Sequence, residues 1–326
     1  MTKNLRFGLY ALASLWLLCL SPAAHAWGCK GHQTVALIAE KHLTPEAKQF
    51  VEATLKAHPI DPSVKRWCGN ATNDQMVDAA TWADDVRSQY KNGPQHYIDI
   101  PRDAKRSNTP SLALFCEPEG CVTEAITARI AILKDKSADA AKRADALRFL
   151  IHFVGDLHQP LHGVDNNDHG GNCVPVQFFR VAPKLNTRHP EDHDYSPNLH
   201  SVWDSNIVER DMEVGDPWRY AEDLDAAFAS QVAAWEKAGI RVDDWAWESH
   251  DAANQVTYGA LSPKVDAEAP VKTKTCADDN DIAGRMLSKH IIIDEKYQSI
   301  AAPLAQQRIA QAGVRLAMIL NDIAKP

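Results

Sequence analysis

His152 and Asp156 stand four residues apart, and so do His200 and Asp204. That interval puts an imidazole and a carboxylate on one face of a helix. Imidazole and carboxylate together are zinc-type donors at about 2.0–2.2 Å, whereas a calcium or magnesium site would be built from oxygen alone. Further donors surround these pairs. His162 follows Pro160, which ends or kinks the helix carrying Asp156 and so turns His162 toward a different ion. His32 closes the run Trp27-Gly-Cys-Lys-Gly-His32, Asp84 lies in Trp82-Ala-Asp84-Asp85, and His96 follows the turn Gly93-Pro94. Such a set suits three ions with positions open to water or substrate. Its chemistry is hydrolysis by a metal-activated water, which needs no side-chain nucleophile.

Each assignment competes with a plainer one. A single His/Asp pair is often an ordinary helical ion pair, but two pairs plus a displaced His are hard to explain as surface decoration. His158 stands about 240° around the helix from His152 and points elsewhere, as a support or surface side chain. Of the two acids, Asp84 flanks the apolar side defined by Met76, Val77, Ala79, Ala80, Ala83 and Val86, while Asp85 lies nearly opposite and reads as solvated. A half-buried carboxylate needs a cation, so Asp84 is the ligand.

Trp27 enters through processing. Lys3 and Arg6, the apolar run from Gly8 to Leu20 and the small-residue site Ala24-His25-Ala26 form a secretory signal over residues 1–26. Cleavage after Ala26 makes Trp27 N-terminal, and its free amine and carbonyl become ligands. The product, residues 27–326, is read as one domain, exported to the periplasm or medium and without a membrane-spanning stretch.

The elements that position these residues are helical. Thr44-Pro45-Glu46 caps a helix to about residue 57; others are expected over 74–88, from Thr123, and over 138–158, 217–238, 244–260, 280–292 and 295–324. Val174 to Phe178 alternates like a strand, and 182–199, with Pro183, Pro190 and Pro197, reads as a long loop. The expected fold is a single all-α domain with a short β-hairpin and long loops.

Charge narrows the function. The chain carries 35 Lys and Arg against 43 Asp and Glu, net −8. That is not the basic balance of a protein held to nucleic acid by its own side chains, so a polyanionic substrate would rely on bound cations. Cys19 leaves with the signal; the remaining even set suggests disulfides. Cys116 and Cys121 are read as one pair, and the connectivity of Cys29, Cys68, Cys173 and Cys276 is left open.

As a set, WGxxGH, WAD, HYID, HFxGDxHQPLH, Gly170-Gly171-Asn172 and HSVWDSN resemble the S1/P1 family of zinc-dependent nucleases. The resemblance implies the helical fold shared with zinc-dependent phospholipase C. It implies that Asp84, His96, His152 and Asp156 bind one zinc, that Trp27, His32 and Asp156 bind a second, and that His162, His200 and Asp204 bind a third. Asp84 and Asp156 are then the catalytic carboxylates, with Asp156 bridging two ions. Tyr97 stands where the family stacks a nucleobase, commonly on Phe, and Asn206 where it helps hold substrate. The implied substrates are single-stranded DNA, RNA and 3′-nucleotides, the products 5′-nucleotides, and the working unit a monomer. Two rivals are a zinc phospholipase C, which needs a choline pocket that Tyr97 and Asn206 do not suggest, and a non-catalytic zinc-binding protein.

Overall fold

The computed structural model describes residues 27–212, 215–268, 275–278 and 281–325. The signal segment expected over residues 1–26 lies outside them. Where strong caps meet helical periodicity, the helices form as expected. Thr44 accepts from the Ala47 amide to start α2 (Pro45–Ala57), and Asp74 accepts from Met76 and Val77 to start α3 (Gln75–Asp85). A break at Val86 separates α3 from the short α4 (Arg87–Tyr90). Helix α5 spans Val122–Lys134, and α6, capped by Asp139, spans Ala140–His158. The chain continues through α7 (Leu199–Ser201), a π-helical turn over Val202–Asn206 and α8 (Ile207–Asp211). It then forms α9 (Pro217–Ala238), α10 (Val242–Ala252), α11 (Ile282–Leu287) and α12 (Glu295–Ile323).

Three local readings change. Helix α1 (Cys29–Lys41) was not foreseen: Gly28 offers no side-chain cap, and Gly31, Thr34, Val35 and Ile38 weaken the local helical signal. Tertiary burial makes it, since Val35, Ala36, Ile38 and Ala39 are fully enclosed. The expected helix over 280–292 stops at Leu287, because the β-branched Ile291-Ile292-Ile293 run leaves it for a strand. That strand, β4 (Ile292–Ile293), pairs in parallel with β1 (Gln177–Phe178), which is all that forms of the strand expected over 174–178. Inside 182–199, read from the sequence as a loop, β2 (Lys184–Leu185) and β3 (Tyr195–Ser196) pair as an antiparallel hairpin.

Helices α1, α3 and α6 converge at the centre, with α12 and α9 across α1 and with α5 and α12 across α6. Among the polar residues buried in this centre are the predicted ligands His32, Asp84, His152 and Asp156. No helix among the described residues is long and apolar enough to cross a membrane. Three disulfides form among the described residues: Cys29–Cys68, Cys116–Cys121 and Cys173–Cys276. The first joins the head of α1 to the loop before α3.

Candidate metal centre

His152 and Asp156 share the inner face of α6, and α1 and α3 bring His32 and Asp84 to it. The two oxygens of Asp156 face different rings. Oδ1 lies 3.2 Å from His32 Nε2, while Oδ2 lies 2.9 Å from His96 Nδ1 and 3.2 Å from His152 Nε2. Asp84 completes the group, 3.7 Å from His96 Nδ1 and 3.8 Å from His152 Nε2. His32 stacks on His152 with ring centroids 4.0 Å apart. Gly155 permits that approach: a Cβ there would meet His32 Nδ1 at 2.8 Å.

A second group assembles from the turn after α6, from α7 and from the π-helical turn that follows it. Pro160 opens a 3-10 turn to Gly163, and His162 within it comes to 3.1 Å from His200, Nε2 to Nε2. Asp204 lies 3.4 Å from His200 Nε2 and 3.9 Å from His162 Nε2.

The hydrogen bonds fix what these ring nitrogens are. His162 Nδ1 donates to the His96 carbonyl at 2.7 Å and His200 Nδ1 to the Gly170 carbonyl at 2.7 Å. A neutral imidazole has one N–H, so both Nε2 atoms present lone pairs to each other across 3.1 Å of buried space. That contact is repulsive unless a cation sits between them. His152 repeats the pattern, donating Nδ1 to the Ala80 carbonyl at 2.7 Å and turning Nε2 to the carboxylates. Backbone carbonyls orient metal-binding histidines in this way. Four donors around a tetrahedral zinc lie roughly 3.3–3.6 Å apart, and the separations here run from 2.9 to 3.9 Å. Both oxygens of Asp156 and both ring nitrogens of His32 are buried without a hydrogen bond, a costly arrangement that a cation would relieve. The donor set therefore fits zinc.

Electrostatics agree. Burial holds His32 and His96 down to about 4 and His200 to about 3, so their lone pairs stand ready at neutral pH. Burial opposes charge on His152 too, but Asp156 and Asp84 outweigh it and hold the ring up at about 9. Burial also disfavours the Asp156 carboxylate, yet His152 and His96 keep it well below the usual range. Asp204 is pushed well above that range by burial, against the Gln159 amide that donates to it.

Trp27 is fully buried at the head of α1, packed against Gly31, and the amide of Gly28 donates to the Asp204 carbonyl at 2.5 Å. In the full chain its own nitrogen is a peptide nitrogen. Asp85 is not solvated but half-buried, accepting from the Trp67 amide at 2.8 Å. Nor is His158 at the surface. It is fully buried, donating Nδ1 to the Val154 carbonyl, with Nε2 3.0 Å from Arg315.

A cleft of about 600 Å³ opens above His96, His162 and His200, with Tyr97, Phe115 and Asn172 on its walls. Asn206, half-buried at the end of the π-helical turn, is not among its lining residues. Two contributors escaped the sequence reading. Arg87 is the one Lys or Arg among the described lining residues; no local signal marks it, because the break at Val86 sets it off from the helix that carries Asp84. Gln159 is fully buried, accepts from the Leu161 amide and donates to Asp204 at 2.7 Å; its signal was an amide set between Asp156 and Pro160.

Comparison with known proteins extends these observations. The family profile described as S1/P1 Nuclease matches residues 27–325. The chain is 28% identical to Endonuclease 2 of Arabidopsis thaliana, over 96% of this chain and 95% of that one. It is 26% identical to Nuclease S1 of Aspergillus oryzae, covering 94% and 95%, and 27% identical to Nuclease P1 of Penicillium citrinum, covering 91% and 97%. The phospholipase C alternative is not favoured by these matches.

Proposed function

The chain belongs to the S1/P1 nuclease family, and from that premise we propose an exported, monomeric phosphodiesterase with three zinc ions per chain. It hydrolyses single-stranded DNA and RNA to 5′-nucleotides and removes phosphate from 3′-nucleotides at the same site. The observation that carries this reading is the pair of lone-pair nitrogens, His162 Nε2 and His200 Nε2, buried 3.1 Å apart. Asp84, His96, His152 and Asp156 hold one ion; Trp27, His32 and Asp156 hold the second; His162, His200 and Asp204 hold the third. Bound zinc supplies a nucleophilic water at neutral pH and neutralises charge on the phosphoryl oxygens.

The protein's own groups do the rest. Arg87 offers the cleft a guanidinium for a phosphate oxygen. Tyr97 presents a ring to a base, and stacking of this kind tolerates any base while requiring it to be unpaired, so single strands are preferred. Asn172 offers an amide from the cleft wall, and Asn206, at the end of the turn that carries Asp204, helps hold the substrate. Water adds to phosphorus, the P–O3′ bond breaks, and the products are a 3′-hydroxyl and a 5′-phosphate.

The test uses protein beginning at Trp27. Single-stranded DNA, RNA, 3′-AMP and phosphatidylcholine are assayed in parallel, with zinc counted by elemental analysis. The expected result is cleavage of the first three substrates, abolished by EDTA and restored by zinc, with about three ions per chain. About one ion per chain, or hydrolysis of the lipid alone, would overturn the reading.

A further inference from the structure

The nuclease reading places one phosphodiester in the cleft but leaves the rest of a long strand without a described contact. The loop between α2 and α3 offers one. Its sequence Val64-Lys65-Arg66-Trp67-Cys68 concentrates cations and an aromatic ring in a chain that is otherwise net acidic. The Trp67 ring is 60% exposed, and the Lys65 ammonium lies 5.6 Å from its centroid. Arg66 is engaged with Asp78 at 3.1 Å, which leaves Lys65 as the cation beside the ring.

An exposed indole alone is ordinary. This one is held in place from two sides, and both anchors belong to elements that carry the site. Cys68, the next residue, is bonded to Cys29 on α1, three positions before His32. The Trp67 amide donates to Asp85 at 2.8 Å, and Asp85 adjoins Asp84 and stands two residues before Arg87 of the cleft wall. A flat, fixed, exposed ring with a cation over it matches the chemistry of one nucleotide: base on the ring, phosphate on the ammonium.

We propose that Trp67 and Lys65 form a second nucleotide subsite, which binds a base and phosphate of a single strand whose scissile bond lies in the cleft. The proposal rests on the nuclease reading and adds to it a preference for longer strands. A dinucleotide occupies the cleft alone, whereas an oligomer engages both places.

The experiment compares wild type, Trp67→Ala, Trp67→Phe and Lys65→Ala on oligodeoxynucleotides of two, four, eight and twelve residues, at two salt concentrations. Trp67→Ala is expected to raise KM for the twelve-residue strand about ten- to a hundredfold, with dinucleotide kinetics and melting temperature unchanged. Trp67→Phe should restore most of the loss, and Lys65→Ala should lower the salt dependence of long-strand binding by about one unit of slope without altering the dinucleotide. The same length dependence in wild type and Trp67→Ala would overturn the subsite and leave the nuclease reading intact. Equal losses on dinucleotide and twelve-mer would assign Trp67 a structural role and also overturn it. A wild-type protein inert toward every strand would refute the nuclease reading itself.

Discussion

Replacing Gly155 with alanine adds one methyl group to α6 at the place where His32 leans on that helix. The added carbon would stand 2.8 Å from His32 Nδ1 and 3.1 Å from Cε1, whereas ordinary contact begins at 3.4 Å. The ring must therefore retreat by about 0.6 Å, while donor distances in a metal site tolerate about 0.2 Å. Its retreat is constrained by His152, stacked on it at 4.0 Å. Stability and chemistry then separate. Alanine in a helix interior gains about 1 kcal/mol over glycine, and overpacking costs about 1–3 kcal/mol, so the fold loses at most about 2 kcal/mol. The ion held with His32 should be lost, and turnover should fall on the order of a hundredfold, the scale on which misplacement in a reacting site acts. Circular dichroism melting, elemental analysis and dinucleotide cleavage on one preparation measure all three. A folded Gly155→Ala protein with three ions and wild-type turnover would refute the reasoning.

Other expectations follow from the same site. Tyr97→Ala should weaken single-strand binding roughly ten- to a hundredfold at unchanged zinc content, and Tyr97→Phe should match wild type, as parallel KM and zinc measurements would show. A protein retaining Met before Trp27 should lose the ion held with His32 and most of its cleavage; equal zinc and activity, with the extra residue confirmed by mass, would exclude the amine as a ligand. Because Asp156 and Asp84 hold His152 up at about 9, zinc uptake near neutral pH should release protons, that of His152 and that of the Trp27 amine among them, read by calorimetry in two buffers. The sign is definite: in the metal-free protein the His152 ion pairs stabilise the fold fully below its ordinary value of 6.5 and lose that contribution as pH rises through about 9, so chelated protein should melt lower above that pH.

The candidate donors were legible because ligand chemistry is written in residue types, and the four-residue intervals in α6 and from α7 into the π-helical turn say which of them stand together. Asp84 could be told from Asp85 by the apolar side of α3, but the partner of Asp85 could not, since the Trp67 amide comes from 18 residues away. Helix α1 was hidden for a similar reason: its stability comes from burial between α3, α9 and α12 rather than from its own propensities. The cleft walls were the least visible part. Arg87 and Phe115 acquire meaning only when the break at Val86 and the loop before Cys116 bring them to one opening. His158 shows the converse. Its wheel position says that it faces away from Asp156, but not that it meets Arg315, which is 157 residues distant.

His96 joins the two groups of candidate ligands. Its ring faces Asp156, while its carbonyl receives the N–H of His162. The span between the two groups is thus measured largely by the bonds of one residue, which do not stretch, and not by loops packed against one another, which can slide. A substrate that must touch both groups meets a fixed gauge. An insertion in the long loops would leave that gauge unaltered, whereas turning the single peptide after His96 would reset it.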